Sequence, residues 1–188
     1  LEFRRVLFRI SPTFGGIGRH FYKTVSPATN FGPYPQELIN ATIDSSALII
    51  SYIGHSGTQI WDNGIVQTSN LESLFEDRNP LITDFGCSTG KFAEPDVDCF
   101  GEMFINSSTK GEAIIYLSNT SLGYLSTSLR FPKIFYDKLL NDTINSIGAV
   151  HALAKFEQFS RFGFTDVNRV FNRSEERRVG KECRYRWS

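Results

Sequence analysis

His55 and Cys87, thirty-two residues apart, are the two side chains in this 188-residue chain whose pairing could do chemistry. His55 sits in Tyr52-Ile53-Gly54-His55-Ser56-Gly57, and Cys87 in Phe85-Gly86-Cys87-Ser88-Thr89-Gly90-Lys91-Phe92. An imidazole can accept the thiol proton or stabilise the thiolate, which makes a nucleophile active near neutral pH. Each segment closes a short apolar run, Ala47 to Ile53 and Pro80 to Phe85. Two strands ending this way can bring both residues to one edge of a sheet, so the first reading is a cysteine hydrolase.

The elements needed to position the pair follow in order. Residues 47 to 53 lack strict polar alternation, as expected of a strand covered on both faces of a parallel sheet. Pro35 to Ser45 reads as a short helix before it, and Phe21 to Val25 as a short strand. Leu71 to Asp77 reads as a helix, Pro80 to Phe85 as the next strand, and Asp98 as the cap of a helix reaching about Asn106. Phe100, Met103 and Phe104 form that helix's apolar side. Ala113 to Ser118 is a third strand, and helices follow near Phe131 to Leu140 and Ser146 to Ser160. Such alternation predicts a mostly parallel α/β sheet whose working loops lie beyond the carboxyl ends of the strands.

Tyr52 to Gly57 with Trp61 after it, then Cys87 to Phe92, then Cys99-Phe100-Gly101-Glu102, together resemble the gingipain-type cysteine peptidases, peptidase family C25. Lys110 to Leu117 followed by Ser118-Asn119-Thr120-Ser121 resembles that family's next strand and substrate-pocket loop. The resemblance implies a caspase-like three-layer α/β sandwich, with His55 as general base or acid and Cys87 as nucleophile. It also implies backbone amides of Gly54, Ser56 and Cys87 as oxyanion donors, with Ser118, Asn119, Thr120, Ser121 and Trp61 near the substrate. Trp61 could equally belong to the core. Where the family has Gly-His-Gly, this chain has Ser56 after the histidine, a residue that resists the positive φ glycine tolerates. The acid that orients the histidine lies upstream in the family, and the first strands of the sheet are expected to be missing from residues 11–172.

By resemblance the substrate is a protein or peptide, and the parent is bacterial and secreted or surface-associated. The same resemblance suggests processing of type IX secretion cargo and contact with secretion-system components. The rival class is a non-catalytic secretion or adhesion module that keeps the fold.

The ends read differently from the middle. Residues 1–10 resemble the translation of a sequencing adapter, and residues 173–188 resemble its partner, so the peptidase-like domain is bounded at 11–172. The whole chain has formal charge 0, but residues 11–172 hold 11 Lys or Arg against 16 Asp or Glu, a net charge of −5. An acidic domain does not suit a polyanion, so no nucleic-acid partner is expected. With Cys183 in the tail, only Cys87 and Cys99 remain, and neither a CxxC motif nor a His-rich cluster suggests a metal; no cofactor is expected. No apolar run approaches the length of a membrane span. The turns Gly54 to Gly57 and Gly15 to Gly18 lack the strand-to-helix context of a phosphate loop or dinucleotide fingerprint. Cys99 reads as a buried apolar residue, His20 and His151 as structural, and Glu102 as a solvated or ion-paired helix residue.

Overall fold

The structure is a computed structural model describing residues 18–21, 37–38, 41, 43, 47–62, 66–67, 79–106, 113–141, 143–144, 146–163 and 174–178. Its main sheet has the order β1 (Ile49–Tyr52), β5 (Leu81–Asp84), β6 (Ile115–Asn119) and β7 (Ser174–Arg178). The first three strands are parallel and β7 runs antiparallel to β6. Ile50 pairs with Ile82 and Ile82 with Tyr116, so one apolar row crosses three strands. These strands form where the sequence analysis puts them, each a residue or two shorter at its start.

Period-two alternation divides the core into two halves. On one face, Ile82 and Tyr116 join Trp61, Val66, Phe100 and Phe104, with α1 (Phe100–Asn106) as the covering helix. On the other, Leu117 and Phe85 join Phe131, Ile134, Phe135, Val150 and Ala154 from α2 (Leu125–Asn141) and α3 (Ile147–Phe162). The result is three layers, helices on both faces of a mostly parallel sheet, as the caspase-like reading expects. Removing a fully buried ring such as Phe100 or Phe104 should cost about 3–5 kcal/mol.

Several elements differ from expectation. A second, three-stranded antiparallel sheet, β2 (Ser56–Gly57), β3 (Ile60–Trp61) and β4 (Val66–Gln67), follows β1 directly. Strands of two residues are too short to show a period, so the sequence carries no signal for them. Asp98 does not cap α1: the Cys99 amide donates to Glu102 Oε2 at 3.0 Å, half of a capping box. Glu102 is therefore a capping residue rather than a solvated one, and the Asp98 carbonyl instead accepts from Gln59 Nε2 at 2.8 Å. Helix α2 begins at Leu125, six residues before the expected start.

Residues 37, 38, 41 and 43 are helical, in line with the helix read at 35–45. The helix read at 71–77, and all but Phe21 of the strand read at 21–25, lie outside the described residues. Of the ends set apart as adapter-like, residues 1–10 also lie outside them, but β7 is in the other. Its backbone pairs antiparallel with β6.

Candidate active site

Parallel pairing of β1 with β5 sets the geometry of the site. Tyr52 and Asp84 are register partners at the carboxyl ends of these strands. His55 and Cys87 each follow three residues later, so they leave the same edge of the sheet from neighbouring strands. His55 is exposed and Cys87 is partly buried.

The Cys87 turn is clamped on every side. Gly86 N–H donates to Asp84 Oδ1 at 2.8 Å, and the Gly86 carbonyl accepts from Asn119 Nδ2 at 2.7 Å. Ser88 N–H donates to the Ser121 carbonyl at 2.9 Å, and Gly90 N–H to that of Asn119 at 3.0 Å. Gly123 N–H donates to Cys87 Sγ itself at 3.3 Å. Ser88 has φ 60°, a left-handed conformation that costs a non-glycine residue about 1–3 kcal/mol and survives only where neighbours impose it.

The His55 loop is tied down through its main chain. The His55 carbonyl accepts from the Tyr52 hydroxyl and from Asp62 N–H, the latter at 2.7 Å. Tyr52 doubles back to do this, and a Cβ on Gly54 would lie only 2.5 Å from the Tyr52 hydroxyl oxygen. Any side chain there would force the Tyr52 hydroxyl to shift.

Ser56 takes an ordinary backbone conformation in β2 and not the positive φ that glycine would allow. Its hydroxyl donates to the Cys87 carbonyl at 2.8 Å. The side chain occupies the space opposite Gly86, where an added Cβ would fall 2.0 Å from Ser56 Oγ. A serine after the histidine thus becomes a strut between the two loops, matched by a glycine before the cysteine.

Beneath both loops lies Asp84, fully buried. Its carboxylate accepts from Trp61 Nε1 at 2.5 Å, from the Tyr116 hydroxyl at 2.7 Å and from Gly86 N–H. Burial raises its pKa above the usual carboxylate range, and the donors from Tyr116, Gly86 and Trp61 offset part of that rise. Burial also raises the Tyr52 and Tyr116 phenols, with the Asp84 charge adding to both.

The substrate-side residues divide. Trp61 is 2% exposed and stacks on Tyr52 at 4.6 Å, so it belongs to the core and does not line a cleft. Ser118 is also buried, its hydroxyl against Gly90. Asn119, Thr120 and Ser121 are partly exposed, and two of their carbonyls brace the Cys87 turn. Sequence reasoning gave no role to Tyr52, Asp84 or Gly123. Asp84 carried one signal, a carboxylate closing an otherwise apolar strand.

Cys99 is buried, as expected, and is in no disulfide among the described residues. His151 is buried in α3, edge-on to Phe131 at 5.7 Å, and burial lowers its pKa to about 3, with Lys155 adding to the effect. His20 is exposed in a loop. Among the described residues no helix is long and apolar enough to cross a membrane.

A mostly parallel α/β sheet with helices on both faces is the fold class of this chain. The chain belongs to peptidase family C25, whose model matches residues 4–180. That match includes part of both ends read as adapter-like. Among solved structures it resembles the Arg-specific cysteine proteinase gingipain R, with TM-score 0.66 and 17% identity over 73% of this chain and 34% of that one. The complex of Porphyromonas gingivalis RgpB pro- and mature domains gives TM-score 0.65 and 18% identity, covering 74% of this chain and 34% of that one. At these identities the likeness shows the fold. The chain spans about a third of the length of these structures. No curated protein matches it.

Proposed function

We propose that the parent protein is a cysteine endopeptidase in which His55 and Cys87 act as a dyad. The observation that carries this reading is the register of β1 and β5, which brings both residues to one sheet edge at equal distance from the paired Tyr52 and Asp84. In the proposed mechanism the His55 imidazole takes the thiol proton, and the Cys87 thiolate attacks the scissile carbonyl. The C–N bond then breaks as His55 returns the proton to the leaving amine, and water releases the acyl group from sulfur. Gly123 N–H, bonded to the sulfur in the resting state, supports the thiolate. The flanking amides of Gly86 and Ser88 are engaged elsewhere, so the Cys87 amide is the oxyanion donor we favour, with Gly54 or Ser56 as the second.

Membership of family C25 supports a protein or peptide substrate. We assign the substrate side of the cleft to Asn119, Thr120 and Ser121, leaving Trp61 out. Family resemblance supports a secreted or surface-associated bacterial parent that processes type IX secretion cargo. The test is alkylation and hydrolysis in the intact parent. Iodoacetamide near neutral pH should label Cys87 ahead of Cys99, and hydrolysis of fluorescein-labelled casein should disappear with the label. A parent that binds secretion partners without any Cys87-dependent hydrolysis would instead be a non-catalytic module. Resequencing the gene directly should replace residues 1–10 and 173–188 if they derive from adapters, and leave them unchanged if they are native.

A further inference from the structure

We propose that Asp84 is a positioning residue: its buried carboxylate joins the Cys87 turn to the His55 loop and so sets the distance between thiol and imidazole. This inference rests on the dyad reading above.

A carboxylate is an expensive group to bury, and it is retained only where hydrogen bonds replace its water. The donors around Asp84 come from three separate elements. Trp61 Nε1 belongs to β3, the Tyr116 hydroxyl to β6, and Gly86 N–H to the turn one residue before Cys87. Two of the three have no acceptor capacity, because an indole and an amide N–H only donate. An ionised carboxylate accepts at both oxygens and satisfies all three. Asparagine of nearly the same shape would turn an NH2 group toward a donor and leave a buried clash. Simple packing would not require that chemistry.

The partners connect two loops that share no covalent neighbour. On one side the Asp84–Gly86 bond fixes the main chain leading into Cys87. On the other, Trp61 lies flat on Tyr52 with an interplanar angle of 4°, and the Tyr52 hydroxyl holds the His55 carbonyl. The path runs Gly86, Asp84, Trp61, Tyr52, His55, wholly beneath the strand ends. A misplacement of an ångström between reacting groups can cost about a hundredfold in rate, so loosening this path should act on turnover more than on substrate binding.

The experiment uses the intact parent protein and fluorescein-labelled casein. Cys87→Ala first tests the dyad reading: loss of hydrolysis upholds it, and retained hydrolysis overturns it and this proposal with it. With Cys87 dependence established, Asp84→Asn should lower kcat about tenfold to a hundredfold while KM changes less than about twofold. Trp61→Phe keeps the ring on Tyr52 but removes the indole donor, and it should lower kcat in the same sense by a smaller factor. It also stands in if Asp84→Asn does not fold. Tyr136→Phe removes a comparable buried hydrogen bond, 2.6 Å to Thr83 Oγ1, on the opposite face of the sheet. It should lower the melting temperature without lowering kcat. If folded Asp84→Asn and Trp61→Phe keep wild-type kcat, or if Tyr136→Phe loses as much kcat as Trp61→Phe, Asp84 is only structural and the proposal fails.

Discussion

The Cys87 turn and the His55 loop leave paired strand ends, but the fold holds them by opposite means. Around Cys87, side chains and main chain from β2, β6 and the loop after β6 all converge, and the sulfur itself receives a hydrogen bond. The turn is rigid enough to keep Ser88 at φ 60°. Around His55 the hydrogen bonds from Tyr52 and Asp62 reach the carbonyl oxygen, while the residue is exposed. Cys87 is thus held as an object in the wall, and His55 is held by its stem, the division the proposed dyad would need. Such a division suits an enzyme whose attacking atom must not move while its proton carrier serves two partners, the thiol and the leaving amine.

The largest effects should come from the two residues themselves. Cys87→Ala should abolish casein hydrolysis, with Cys99→Ala leaving most of it, since Cys99 is fully buried. His55→Ala should reduce kcat by orders of magnitude and slow alkylation of Cys87, because imidazole is the side chain suited to proton transfer near neutral pH. If His55→Ala slowed hydrolysis less than about tenfold, the exposed imidazole would not be the base and the comparison would fail on that side.

Next in size is a change that strikes both loops at once. A methyl group on Gly86 would fall 2.0 Å from Ser56 Oγ, 2.8 Å from Ser56 Cβ and 3.0 Å from Asp84 Oδ1. Gly86→Ala should therefore destabilise by about 1–3 kcal/mol, the usual cost of overpacking, and impair hydrolysis strongly. Ser56→Gly removes the nearest obstacle and should restore part of the stability in the double variant. A double-mutant cycle by denaturant unfolding would measure the coupling. Coupling near zero would mean that Ser56 is not the strut between the loops.

How much of this was legible beforehand depends on distance along the chain. The strand ends that carry His55 and Cys87 show because the runs before them are mostly apolar without strict alternation; β5 is buried on both faces as such a run implies, whereas β1 is a partly exposed edge strand with Ser51 at the surface. The start of α2 was misplaced because Pro132 looks like a proline in a helix's first turn, where it is tolerated, whereas here it lies inside the helix. The role of Asp84 was hidden because its partners are 23 and 32 residues away, on strands whose facing side only the assembled sheet defines. Ser56 was read as a defect, since no local pattern shows that Gly86 lies opposite. The three-layer frame is a matter of local periodicity. The polar links under the site are tertiary.

Acid should weaken the fold without singling out either loop. His151 packs against α2 on the far face, and its pKa falls from an ordinary 6.5 to about 3. A base with a depressed native pKa leaves the unfolded chain holding more protons between those values, so stability rises with pH across that window. Its contribution is complete above about pH 6.5 and is lost as pH falls toward 3. The full span corresponds to a few kcal/mol at most. His151→Gln should flatten the fall in melting temperature between pH 7 and pH 4, while kcat at pH 7 stays near wild type. An unchanged pH slope would show that the imidazole protonates freely in the native state.

The smallest expected effect tests the strain beside the nucleophile. Ser88 is held left-handed because its N–H must reach the Ser121 carbonyl while the chain turns from Cys87 toward Gly90. Glycine adopts that conformation without strain but gains freedom in the unfolded chain, worth about 0.4–1 kcal/mol against the folded state. The two terms oppose, so Ser88→Gly should fall between neutral and stabilising by about 2 kcal/mol and leave the alkylation rate of Cys87 unchanged. Valine has a branched Cβ that fits the left-handed region poorly, so Ser88→Val should destabilise more and slow alkylation. Thermal melts and timed iodoacetamide labelling of the two variants decide it. Equal losses in both would place the importance of Ser88 in its hydroxyl, and the turn would then be held by one more side chain rather than by its backbone.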